Sequence, residues 1–198
     1  MMTRRAALGY SALAAAGIAM VWVLFVLIPR WSVQDSGRPV AQPAPVETAT
    51  RKITAHLFFV AEDGLHLAAV EREVPYGEGT VEQATRIIEA QLEPAPSPYT
   101  SAIPSGTRLR GLFISSLGEA FVDLSPEVSS AHPGGSLNEL FTVYTIVDTL
   151  TTNLPAIMAV QVLIDGKEVD TLAGHVDLRR PLQENTRWVA NTETETKP

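Results

Sequence analysis

Ala6 to Ile28 reads AALGYSALAAAGIAMVWVLFVLI and carries no charge. A helix needs about 20 such residues to cross a bilayer. Residues 6–28 are therefore expected to be a transmembrane anchor. Arg4 and Arg5 precede the run, which places residues 1–5 in the cytoplasm and the rest of the chain outside it. The alternative is a cleaved signal peptide, whose apolar region is shorter, about 7–15 residues, and ends at a small-x-small site. The arginine pair also occurs in twin-arginine export signals, but the Ala-Ala-Leu that follows fits such a signal poorly.

Composition narrows what the remainder can do. The chain has no cysteine, which excludes a disulfide framework, a thiolate zinc site, a catalytic thiol and a lipid-modified cysteine. Its net charge is -7, so a nucleic-acid partner, which rewards basic patches, is not expected. Residues 29–51 are rich in Pro, Ala, Gln and Thr and read as a linker. Residues 183–198 are mostly polar and read as a disordered tail. One domain, residues 52–182, lies between them.

Within that domain KITAHLFFVA and LHLAAVEREV flank Glu62-Asp63-Gly64 and predict a first hairpin. Thr80-Val81-Glu82-Gln83 has the form of a capping box, and Val81, Ala84, Ile88 and Leu92 follow at helical spacing. TRLRGLFISS and EAFVDL flank Leu117-Gly118 as a second hairpin. SPEVSSAHPGG is too rich in Ser, Pro and Gly to predict regular structure. Ser136 to Glu139 has the form of a second capping box. It opens a helix with Leu140, Val143, Val147, Leu150 and Leu154 on one face and Thr142, Thr145, Asp148, Thr149 and Thr152 as its polar side. Val160–Ile164 is the last long strand, and Asp165 and Gly166 are the candidate structural turn of a third hairpin returning over Lys167–Leu172. The order β-β-α-β-β-α-β-β predicts an α+β fold: a single two-layer domain, a mixed sheet with two helices packed on one face.

The stretch VQVLIDGKEVDTLAGHVDL gathers acids, a lysine and His175. Asp165 and Gly166 are accounted for by the turn, and Glu168 and Asp170 fall together on one strand face. His175 beside Asp177 is the best acid–base lead, but no nucleophile elbow accompanies it. His56, His66 and His132 show no metal-ligand spacing, and His56 is expected opposite about Glu71. Glu62-Asp63 and the Glu71/Glu73 pair are carboxylates that a glycan hydrolase would need, yet they also suit a solvated strand face. Gly134-Gly135 ahead of the second helix could offer amides to an anion, with Ser136 already at the cap. No catalytic residue, metal site or cofactor is assigned.

HLFFVAEDGLHLAAVEREVP, IPSGTRLRGLFISSLGEAFVDLS, GGSLNELFTVYTIVDTLT and VQVLIDGKEVDTLAGHVDL occur in that order. Together they resemble the GerMN domain of bacterial sporulation and spore germination proteins. Asp148 stands where the family's NTLT segment has Asn. The resemblance implies a non-enzymatic, extracytoplasmic module whose activity is protein–protein assembly, because its core looks like ring-building motifs of secretion and sporulation channels. The expected partners are envelope proteins or copies of itself, with peptidoglycan binding as the alternative and a small wall-active hydrolase as a further one. The expected location is the cytoplasmic membrane, through a single N-terminal span. The proline-rich loop with Tyr99 and Ile103 is the candidate interaction surface, together with an outer edge strand.

Overall fold

A computed structural model describes residues 51–190. The apolar run 6–28, the linker up to residue 50 and residues 191–198 lie outside the described residues. Among the described residues no helix is long and apolar enough to cross a membrane.

The chain first forms a hairpin, β1 (Lys52–Val60) and β2 (Leu67–Pro75), in register with His56 opposite Glu71. Helix α1 (Thr80–Gln91) follows. A loop then leads to β3 (Leu109–Ile114) and β4 (Glu119–Leu124), joined at Gly118, whose φ of 78° suits a residue without a side chain. A single turn, α2 (Glu127–Ser130), precedes the long helix α3 (Ser136–Asn153). The chain ends in β5 (Ala159–Ile164), the two-residue β6 (Lys167–Glu168) and a 3₁₀ turn at Thr186–Trp188.

The fold is α+β, but its strands divide into two sheets instead of one. β1 and β2 stand alone, and β3-β4-β5-β6 form a mixed sheet in which only β4 and β5 run parallel. The reason lies at the outer edge of β1. There the backbone of His56 is bonded in both directions by the Asn153 amide, at 2.8 Å and 2.7 Å. Phe58 is bonded likewise by the Gln91 amide, at 2.9 Å and 2.8 Å. Val60 exchanges two bonds with the backbone of Thr100. Amides from two helices thus occupy the edge that another strand would need.

α3 is buried on more than one side. Val143, Ile146, Val147 and Leu150 join Leu112, Val122, Val160 and Val162 of the four-stranded sheet in the main core. Phe141 packs with Phe58 and Leu67 of the hairpin. Thr142, Thr145, Asp148 and Thr149, expected on a polar side, are buried as well. α1 buries Ala84, Ile87 and Ile88, while Val81, expected in its apolar stripe, is 47% exposed.

Several other expectations are corrected. SPEVSSAHPGG does contain a helical turn, since Pro126 at its start pre-sets a helical φ of -57°. Neither capping box forms: the N-caps are Gly79 and Gly135, with no side-chain cap. Gln83 instead reaches back to the amide of Gly77. The third hairpin has a second arm of only two residues, because Glu139 and Ser129 draw the chain after Asp170 onto the helices. Residues 183–190 of the expected disordered tail are packed. Trp188 and Val189 cover Phe58 and Leu67, and the amide of Ala190 bonds the carbonyl of Leu67 at 2.7 Å. They shield the apolar turn end of the hairpin's second face, a burial worth about 1.5–3 kcal/mol per large side chain.

Gln91 is fully buried and its Oε1 also accepts from the Thr149 hydroxyl at 2.9 Å. Replacing it removes partners from a buried N–H, a buried C=O and a buried hydroxyl at once. Gln91→Leu is expected to cost about 2–4 kcal/mol in urea unfolding, whereas Glu89→Leu on the exposed face of α1 is expected to change it by less than about 0.5 kcal/mol.

Candidate functional site

The residues singled out in the final stretch are brought together, but not by one another. β5 ends in a turn where Asp165 takes φ 53° and Gly166 takes φ 74°. Asp165 bonds the guanidinium of Arg110 at 3.0 Å, and Asp123 holds both Arg110 at 3.2 Å and the amide of Gly166 at 2.7 Å. The turn is thereby tied to β3 and β4. Val169 packs on the main core, and the chain then leaves the sheet.

The loop that follows is organised by Glu139, a residue the sequence presented only as part of a cap. Its carboxylate is fully buried. Oε1 accepts from the amides of Leu172 and Ala173, both at 2.9 Å. Oε2 accepts from the amide of His175 at 2.7 Å and lies 3.1 Å from His175 Nδ1. Desolvation opposes the charge, but the convergent N–H groups outweigh it and hold the carboxyl below its usual range. The loop is further pinned by Ser129, whose hydroxyl donates to the carbonyl of Leu172, and by Gln161, whose amide donates to the carbonyl of Leu178.

His175 therefore meets a carboxylate from another element, though the expected partner Asp177 is not the one. Asp177 is held by Arg179 through two contacts, 2.9 Å and 2.7 Å, which keep its carboxyl far below the usual range. The His175 ring is 45% exposed. The recess beside it is about 180 Å³, lined by Asp170, Thr171, His175, Asp177 and Arg179. Thr171, the one hydroxyl there, accepts from the amide of Gly174. The arrangement fixes a loop; it does not aim a base at a nucleophile.

The remaining histidines are dispersed. His66 bonds Asp63 at 2.7 Å in the first turn. His132 accepts the amide of Gly134 at Nδ1, so its Nε2–H donates to Thr142, whose hydroxyl in turn donates to the carbonyl of Ala102. Among the described residues no cluster of three His, Asp or Glu side chains could hold a metal. A cleft of about 350 Å³ lies between the first turn and the start of α3, lined in part by Glu62, Pro98, Ser101, Asn138 and Phe141.

Of the candidate interaction surface, Ile103 is only 6% exposed and belongs to the main core, which corrects its assignment. Tyr99 is half-buried against the Leu57–Phe59 cluster. Among the described residues the most exposed large apolar side chains lie elsewhere: Phe113 (65%), Leu117 (69%) and Met158 (62%), followed by Leu65 (60%). Phe113 lies near the end of β3, Leu117 in the turn after it, and Met158 bonds that turn through the carbonyl of Gly118. Met158 lies against Gly118 in the turn that carries Leu117, while the Phe113 ring lies over Gly111 on β3. Phe113 and Leu117 carried no special signal in the sequence, since strands and turns are expected to hold apolar residues.

Residues 56–170 match the family model described as sporulation and spore germination, Germane. The chain belongs to this family. No curated protein matches it significantly. Among solved structures, the chain is similar to the tandem GerMN domains of the sporulation protein GerM from Bacillus subtilis, with 18% identity and a TM-score of 0.50 over 68% of this chain and 46% of that one. It thus spans about half the length of that tandem protein. The first GerMN domain of the same protein matches with 17% identity and a TM-score of 0.48, over 66% of this chain and 97% of that one. A presumed lipoprotein of Clostridium perfringens matches with 23% identity and a TM-score of 0.49, over 67% and 87%. The GerMN fold and the Germane family are therefore shared.

Glu139 is expected to set the acid limit of the loop. Its folded pKa is depressed. The stabilisation it gives is thus complete above the ordinary carboxylate pKa and lost as pH falls through the folded value. Glu139→Gln presents an N–H₂ group to amides that need acceptors, and is expected to cost about 2–3 kcal/mol at neutral pH, read from the urea midpoint. His175→Ala, which leaves the carboxylate and its backbone donors in place, is expected to cost under about 1 kcal/mol.

Proposed function

We propose that this Germane-family chain is an extracytoplasmic, non-catalytic module that assembles with other proteins of the bacterial envelope. The observation that carries the reading is the use made of Glu139. The one buried carboxylate that meets a histidine is spent on backbone amides of Leu172, Ala173 and His175. Asp177 is paired with Arg179, and Asp165 with Arg110. Family membership supports the same reading, and the N-terminal apolar run, read as a single-pass anchor, supports a position at the cytoplasmic membrane facing outward. The exposed Phe113, Leu117 and Met158 are the side chains best suited to meet a protein partner, because they are the most exposed large apolar groups among the described residues and gain from being covered.

A photo-activated cross-linking residue at Phe113, Leu117 or Met158, in the full chain in living cells, is expected to yield a discrete protein adduct. The same residue at Glu89, on the exposed side of α1, is expected to yield none. Sedimentation with purified sacculi in the absence of any adduct would favour peptidoglycan binding instead. Wall-fragment release lost on His175→Ala or Glu71→Gln would establish a hydrolase and overturn the proposal.

A further inference from the structure

The segment from Gln183 to Ala190 closes over the body of the domain around a buried carboxylate. Asp148 on α3 is fully buried. Its Oδ1 accepts from the amide of Asn185 at 2.9 Å. Among the described residues its Oδ2 has no partner, and neither do Thr145 Oγ1, one turn earlier on the same helix, and Trp188 Nε1 on the segment itself. The segment's other polar hold on α3 is Glu184, whose Oε1 accepts from the Thr152 hydroxyl at 3.0 Å. Two carboxylates therefore meet where the segment crosses the helix.

We propose that Gln183–Ala190 is a proton-sensitive latch, closed over Phe58, Leu67 and Phe141 when Asp148 is protonated and loosened when Asp148 and Glu184 are both charged. This goes beyond the assembly role and does not depend on it. Neutral Asp148 brings an O–H that can satisfy an acceptor while Oδ1 keeps the Asn185 bond. Ionised Asp148 is a buried anion with one hydrogen bond and a like charge beside it, a costly arrangement.

Among the described residues no cation is paired with Asp148. From α1, the neutral amide of Gln91 meets α3 at Thr149. From the β1 side, Asn153 bonds the backbone of His56, whose ring is exposed. On the segment, Arg187 is exposed and lines an open basin with Tyr144 and Glu184. Burial and the charge of Glu184 together push the Asp148 carboxyl up to about 6, against the opposing bond from Asn185. Because this value is raised on folding, the stabilisation is complete below the ordinary value of 3.8 and is lost as pH rises through about 6. The segment can yield without the whole fold. The core of Leu112, Val122, Val147 and Val162 does not include Trp188 or Val189, which pack on the separate Phe58 cluster.

The sequence has three tryptophans, so the full chain carrying Trp22→Phe and Trp31→Phe reports on Trp188 alone. Its acrylamide quenching is measured from about pH 4.5 to about pH 8, with circular dichroism in parallel to monitor the rest of the fold. Quenching is expected to rise about twofold or more, with unchanged dichroism, and with a midpoint near pH 6. Asp148→Asn is expected to keep Trp188 protected at every pH. Glu184→Gln, at an exposed position, is expected to move the midpoint to lower pH, which keeps the test decisive should Asp148→Asn not fold. A flat wild-type profile, or a wild-type midpoint retained in either variant, would overturn the latch.

Discussion

Backbone that no strand pairs still needs hydrogen-bond partners once it is buried. In this domain α3 supplies much of them. Glu139 at its start holds the amides of Leu172, Ala173 and His175. Thr142 holds the carbonyl of Ala102, Thr149 positions the Gln91 amide that caps Phe58, and Asn153 at its end pairs with His56. Asp148 takes the amide of Asn185. One helix thus ties together the hairpin, the proline-rich loop, the loop after β6 and the closing segment. The apolar side chains of the same helix fill the main core and so fix the height at which each polar group is presented.

This explains why the sheets separate. A hairpin with both edges free would extend the larger sheet or pair with another chain. β1 cannot do so, because Asn153, Gln91 and Thr100 already occupy His56, Phe58 and Val60. It also explains why His175 sits beside a buried carboxylate. Glu139 gives both oxygens to main-chain amides, and the His175 ring meets the same Oε2 at 3.1 Å. The same reading accounts for its depressed pKa without a functional cause.

What the sequence made legible was whatever rests on local rules. Alternating strands around Asp63-Gly64, Leu117-Gly118 and Asp165-Gly166 gave the hairpins, and the register placing His56 opposite Glu71 followed from the first of these turns. The helical spacing of Ala84 and Ile88 and of Val143, Val147 and Leu150 marked both long helices. What stayed hidden was non-local. Glu139 carries the signature of a capping box, and nothing nearby shows that it reaches a loop more than thirty residues on. Asp148 read as part of a wet face because the segment that meets it is itself polar and short of apolar residues. Ile103 looked exposed among Pro and Ser, yet it is the loop's anchor in the core. Local pattern cannot reveal a partner supplied by a distant turn of chain.

The claim that α3 acts through buried polar bonds to distant backbone is tested most directly by native-state hydrogen exchange on the full chain. Leu172, Ala173 and His175 belong to no strand or helix, and His175 is exposed. If Glu139 clamps them, their amides exchange as slowly as those of β5, opening only with the whole fold. Exchange at these amides as fast as at the exposed Arg180 would contradict the account.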